Sequence, residues 1–169
     1  MIDFILTDIR DAFCQLTDEN EIRVAVHVEA ALKQRDGGER YALQRLATTE
    51  FEHERRQSKP FYRSGTSLEY EGFCGEAWKT LKPQAGTPRS FLGKRDRRFR
   101  AGDILDFNRS FLCVPICAVV NGLDTPIAVL TIDSANKYTF LLTEDDMDRI
   151  SAMLSPIYQN FIDYYFSIS

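Results

Sequence analysis

Two apolar runs on either side of a tight-turn dipeptide constrain this chain more than any other feature. Residues 110–120 carry almost no polar side chain, and residues 127–133 are nearly as apolar. Strands covered on both faces read this way, whereas strands with one wet face alternate. Asn121 and Gly122 begin the turn between the runs, which is expected to reach Pro126. Pro115 removes a ladder donor, so an edge position or a bulge is expected there. A hairpin of this kind needs partners above and below it, and the flanking segments supply them.

Residues 2–17 repeat Ile2, Ile5, Ile9, Phe13 and Leu16 at helical spacing. Residues 22–30 change to period two: Ile22, Val24, Val26 and Val28 alternate with Arg23, Ala25, His27 and Glu29. The cluster Asp36, Gly37, Gly38 leads into a weaker strand over 40–49, and the charged stretch 52–67 with Pro60 reads as a loop. Gly72 to Gly75 open a short helix expected over Glu76 to Leu81, stopped by Pro83. Ser90 to Leu92 suit a short strand. Thr143 before Glu144, Asp145 and Asp146 marks a helix start, a hydroxyl cap with acids in the first turn. Met147, Ile150, Leu154, Ile157, Phe161 and Tyr164 then form a heptad stripe, with Pro156 expected to kink it. The order predicts a single α+β domain over 1–169, with terminal helices over 1–18 and 143–166.

Composition narrows the function. With 21 basic and 25 acidic residues the net charge is −4, which argues against a general nucleic-acid binder. No apolar run reaches the ~20 residues of a membrane span, and the start lacks the basic region of a signal peptide. Cys14, Cys74, Cys113 and Cys117 form no Cys-x-x-Cys pair, so neither a disulfide framework nor a zinc cage is expected. They read as reduced thiols of a cytosolic protein. Cys113 and Cys117 lie about 13 Å apart along an extended strand, too far for a disulfide, and read as buried structural thiols. Cys74 differs, since a helix N-terminus lowers a thiol pKa. His27 and His53 are read as surface residues with no second ligand at metal spacing. No cofactor is expected. Between 82 and 100, seven basic residues face one acid, Asp96, a local +6 in an acidic protein.

Four segments in the second half carry a family resemblance. They are Gly72 to Trp78 with a Gly-x-x-Gly helix start, Asn108 to Ile116 ending in Val-Pro-Ile, Pro126 to Asp133, and Phe140 followed by Thr143 to Asp146. In this order the chain resembles a GAF domain, a small-molecule sensor module. The resemblance implies an antiparallel sheet of five or six strands, terminal helices on one face and a ligand pocket on the other. Asn136, Lys137 and Phe140 are also similar to the Asn-Lys-x-x-Phe motif of cyclic-nucleotide-binding GAF domains. There the lysine pairs with an acid and braces the pocket, which implies a clasp from Lys137 to Glu144 or Asp145.

The candidate ligand-binding residues are Phe73, Cys74, Trp78, Phe91, Phe99, Phe107, Arg109, Phe111, Cys113 and Asp133. Aromatic rings would hold a flat heteroaromatic ligand, and arginines would fork onto a phosphate or carboxylate. The leading expectation is a non-catalytic sensor that binds a small cytosolic ligand, with cyclic nucleotides among the candidates. It would signal to an output protein or domain through its terminal helices, as a homodimer. One alternative is a thiol enzyme similar to the GAF branch that reduces free methionine sulfoxide. The chain lacks that branch's acid-rich, histidine-containing stretch and its cysteine placement. Another alternative is a dimerisation module without a ligand.

Overall fold

Alternation along each strand decides which side chains meet the helices, and the sheet sorts them accordingly. The computed structural model describes residues 2–35, 37–49, 60–63, 70, 72–86, 110–136, 139–140 and 143–168. In chain order these form α1 (Ile2–Thr17), β1 (Ile22–Lys33), β2 (Glu39–Thr48), β3 (Phe61–Tyr62), α2 (Gly72–Thr80), β4 (Gln84–Gly86), β5 (Ser110–Val120), β6 (Leu123–Ser134) and α3 (Glu144–Ile168). One six-stranded sheet has the order β3-β2-β1-β6-β5-β4, and every pair is antiparallel. The α+β expectation holds. The stretch expected as a loop contains β3, paired through Phe61 and Tyr62 to Leu43 and Ala42. The expected strand at Ser90 to Leu92 lies outside the described residues.

The central hairpin is tighter than its sequence suggests. β5 and β6 pair continuously from Ser110–Ser134 to Val120–Leu123 apart from one register shift, so the turn is Asn121 and Gly122 alone. Both have positive φ, 53° and 79°, as a two-residue turn matching the strand twist requires. Asp124, Thr125 and Pro126 are therefore strand residues, and Val119 and Leu123 project at the tip, 73% and 70% exposed. Among the described residues β4 flanks β5 only from Phe111 to Cys113, so Pro115 has a sheet neighbour on one side. The register shifts one residue later, between Ile116 and Cys117. A second shift falls between Val26 and His27 of β1. His27 and Pro115 both pair with Val129, so the two irregularities lie near one level of the sheet.

One face of the sheet carries the main core. Ile22, Val24 and Val26 of β1, Leu112, Val114 and Ile116 of β5, and Leu130 and Ile132 of β6 are buried beneath α1 and α3. The helices contribute Leu6, Ile9 and Phe13, then Ile150, Leu154 and Phe161. Full burial of each such side chain contributes about 1.5–3 kcal/mol. The α3 stripe is thus used largely within the chain. Pro156 lies on its exposed side, and the carbonyl it leaves without a helical donor belongs to exposed Ala152, so water can replace the lost bond and the helix continues.

Phe13, fully buried, meets Phe140 edge-on at 6.2 Å, pinning α1 to the segment between β6 and α3. Phe13→Ala is expected to cost about 3–5 kcal/mol, read as a lower urea midpoint at unchanged slope. Phe4→Ala, at a position 76% exposed, should stay within about 0.5 kcal/mol.

Candidate functional site

The opposite face of the sheet carries the residues left over from that core. Cross-strand pairing arranges them in rows, since partners opposite each other point to the same side. Arg23, Asp133 and Phe111 form one row, and Ala25, Thr131 and Cys113 form the next. His27, Val129 and Pro115 form a third. The nine-residue helix α2 covers part of this face. Its Phe73, Cys74 and Ala77 bury themselves against Leu43, Cys113 and Val129, with Tyr70 beside them and Trp78 at the margin.

Gly75 lets the main chain of Tyr70 lie against α2. A β-carbon there would stand 1.9 Å from the Tyr70 carbonyl oxygen, so only a hydrogen fits. Tyr70 in turn is fastened across the sheet face: its hydroxyl donates to the Glu29 carboxylate, and its ring meets Trp78 edge-on at 5.7 Å. Burial, and then that hydrogen bond, push the Tyr70 hydroxyl well above the ordinary tyrosine range. The Cys74 and Cys113 sulfurs lie 3.6 Å apart beneath α2.

The Arg23 row is the polar end of the face. The Arg23 Nε donates to the Asp133 carboxylate at 2.8 Å, and Asp133 is 7% exposed. The Arg23 side chain keeps 29% exposure, and Phe111 is half-buried, so the row is reachable from solvent. Gly86, the last residue of β4, pairs with Phe111 beside this row. Of the residues expected to bind a ligand, Phe73, Cys74, Trp78, Phe111, Cys113 and Asp133 are all on this face. Phe91, Phe99, Phe107 and Arg109 lie outside the described residues, as does Lys137.

The Asn-Lys-x-x-Phe segment braces the fold through its described members. Asn136 accepts a hydrogen bond from the Ser110 hydroxyl at 2.6 Å, and its side-chain amide donates to Glu19. Phe140 is the partner of Phe13. At the start of α3 the carboxylate cap is Asp146. It accepts from the Thr143 backbone N–H at 2.9 Å and from the Thr143 hydroxyl at 2.7 Å, which lowers its pKa below the usual carboxylate value. Asp145 is exposed, and the Glu144 side chain lies outside the description.

His27 corrects the sequence reading. It was expected at the surface, yet it is 4% exposed, on the face it shares with Val129, which packs against α2. Arg23 and Tyr70 are the site residues that sequence reasoning missed. Arg23 had a signal, since it is the basic member of an alternating strand, but its partner is 110 residues away. Among the described residues no group of three or more His, Cys, Asp or Glu could hold a metal ion. Among them, no helix is long and apolar enough to cross a membrane.

No family model matches this sequence, and no curated protein matches it. Solved structures do. The GAF domain of a two-component sensor histidine kinase from Bacillus halodurans is 15% identical at a TM-score of 0.55, with 97% of each chain covered. The GAF domain/HD domain protein from Geobacter sulfurreducens is 13% identical at a TM-score of 0.57, covering 94% of this chain and 90% of that one. The GAF domain of a phosphoenolpyruvate-protein phosphotransferase from Coxiella burnetii is 10% identical at 0.51, covering 98% and 97%. The chain therefore has a GAF-like fold over nearly its whole length.

Tyr70→Phe should cost about 1 kcal/mol at neutral pH by losing the bond to Glu29. A folded-state pKa above the unfolded value contributes stability below the unfolded pKa and loses it as pH rises. The wild-type advantage should thus be constant up to the ordinary tyrosine pKa near 10.0 and shrink above it, followed by urea titration at stepped pH.

Proposed function

We propose that this chain is a non-catalytic sensor or regulatory domain that binds a small ligand on the α2 side of its sheet. The observation that carries the reading is the half-open row of Arg23, Asp133 and Phe111, at the mouth of an otherwise buried face. A ligand there finds a guanidinium already held by a carboxylate, and an aromatic ring for a flat base. A nucleotide suits both, with cyclic nucleotides as first candidates. Arg109 and the phenylalanines Phe91, Phe99 and Phe107, outside the described residues, are further candidates by their chemistry.

The route to the terminal helices is one residue long. Asp133 points to the ligand face, and its neighbour Ile132 packs in the core under the helices; Arg23 stands in the same relation to Ile22 and Val24. A shift of either strand by a fraction of an ångström is felt on both sides, because a packed core deforms in discrete steps.

The output surface in this reading is the outer side of α1 and α3. An open groove of about 500 Å³ runs between them, lined by Phe4, Ile5, Asp8, Asn160, Asp163 and Tyr164. Phe4 is 76% exposed and Phe166 53%, so each chain has apolar surface that a second copy would cover. Signalling is then a change in how the two pairs of helices pack.

Native mass spectrometry with a panel of cyclic mono- and dinucleotides tests the ligand. One member should add its mass to the protein, and Arg23→Ala should weaken it by about tenfold or more, ~1.4 kcal/mol. A protein that ignores the whole panel favours the dimerisation module. The dimer is tested at its exposed rim, because removing α3 would also remove Leu154 and Phe161 from the core. Phe4→Asp should give a folded monomer by sedimentation velocity, and a dimer that survives it places the interface elsewhere.

A further inference from the structure

Buried beneath α2 is a pair of nucleophilic side chains that ligand binding does not require. Cys74 Sγ and Cys113 Sγ are 3.6 Å apart, on α2 and β5, and the two residues are 1% and 3% exposed. A disulfide bond is about 2.05 Å long, so closing the pair brings the sulfurs together by about 1.5 Å. Cys74 lies in the first turn of α2, where backbone N–H groups without helical partners favour a negative charge.

We propose that Cys74 and Cys113 form a reversible dithiol–disulfide site, oxidised by hydroperoxides, that clamps α2 to the sheet. The Cys74 thiolate attacks one oxygen of the hydroperoxide: an S–O bond forms, the O–O bond breaks, and the departing oxygen leaves as an alcohol or water. The Cys113 thiolate then attacks the sulfenic sulfur. The S–S bond forms, the S–O bond breaks, and hydroxide leaves with a proton as water. Two thiols and one hydroperoxide become a disulfide, an alcohol and a water, the sulfurs losing the two electrons that the O–O bond gains. Exchange with a dithiol reverses it.

Proximity makes the site specific. The other thiols, Cys14 on α1 and Cys117 on β5, are both more exposed than the pair. Simple accessibility would therefore oxidise the wrong cysteines, and proximity selects the right ones. The closure also has a readout built in. α2 sits on the Tyr70 carbonyl through Gly75, and Trp78, the sole tryptophan of the chain, touches the Tyr70 ring. Any shift of α2 toward β5 changes the surroundings of that indole. The site needs no ligand, and it stands or falls independently of the sensor reading.

The test treats the whole protein with hydrogen peroxide, unfolds it in an alkylating agent and maps the peptides. The expected product is a Cys74–Cys113 cross-linked peptide, with two of the four thiols lost and Cys14 and Cys117 alkylated. Trp78 emission should change in step and return with dithiothreitol. A Cys14→Ser/Cys117→Ser double variant should keep both signals, and Cys113→Ser should lose both. Oxidation of Cys14 or Cys117 ahead of the pair, or full alkylation of Cys74 and Cys113 after peroxide, overturns the proposal. The wild-type peptide map alone decides this if the Cys113 variant does not fold.

Discussion

Much of β6 is kept from water on both faces, and that requirement places the other elements. A strand in this position offers no wet face on which polar groups could be tolerated cheaply. α1 and α3 take one side, with Leu6, Phe13 and Leu154 seated on Leu130 and Ile132. α2 takes part of the other, with Phe73 and Ala77 against Val129. β1 and β5 then inherit the same two-sided environment as immediate neighbours of β6. The polar groups that remain inside must be paired, and Asp133 is: it ends β6 against Arg23, where the cover gives out.

That arrangement explains what could be read from the chain. The terminal helices and β1 were legible because they are written in local periods, two for β1 and about three and a half for α3; the central hairpin was legible as two apolar runs about a turn dipeptide, and the antiparallel sheet through the family resemblance. The turn at Asn121 and Gly122 was legible in kind but not in extent. Pro126 and Asp124 look like turn residues, yet the two-residue turn needs only the positive φ values that asparagine and glycine supply. β3 and β4 were missed because they are two and three residues long, too short to show any period.

The candidate site was legible residue by residue and not as a set. Phe73, Cys74, Cys113 and Asp133 each stood out for a local reason, but nothing local says that Cys74 lies on Cys113 or that Asp133 answers Arg23. Those relations come from strand order, which places β1 beside β6 rather than beside β5. His27 was misjudged for the same reason. An alternating strand announces one dry face, and only tertiary packing reveals that the second is dry at His27 as well.

The brevity of β3 and β4 has a consequence for how such molecules meet. An open sheet ends in two rows of unpaired backbone groups, which can recruit a further strand from another chain. Among the described residues, β3 and β4 cover only two and three residues of those edges, so β2 beyond Ala42 and Leu43 and β5 beyond Cys113 have no strand on their outer side. The hairpin tip, with Val119 and Leu123 in the open, is apolar but ends in a turn that twists away from any flat pairing. Pro115, which has no N–H to offer a foreign strand, and the positive-φ turn at the tip are what the β5 edge sets against strand addition.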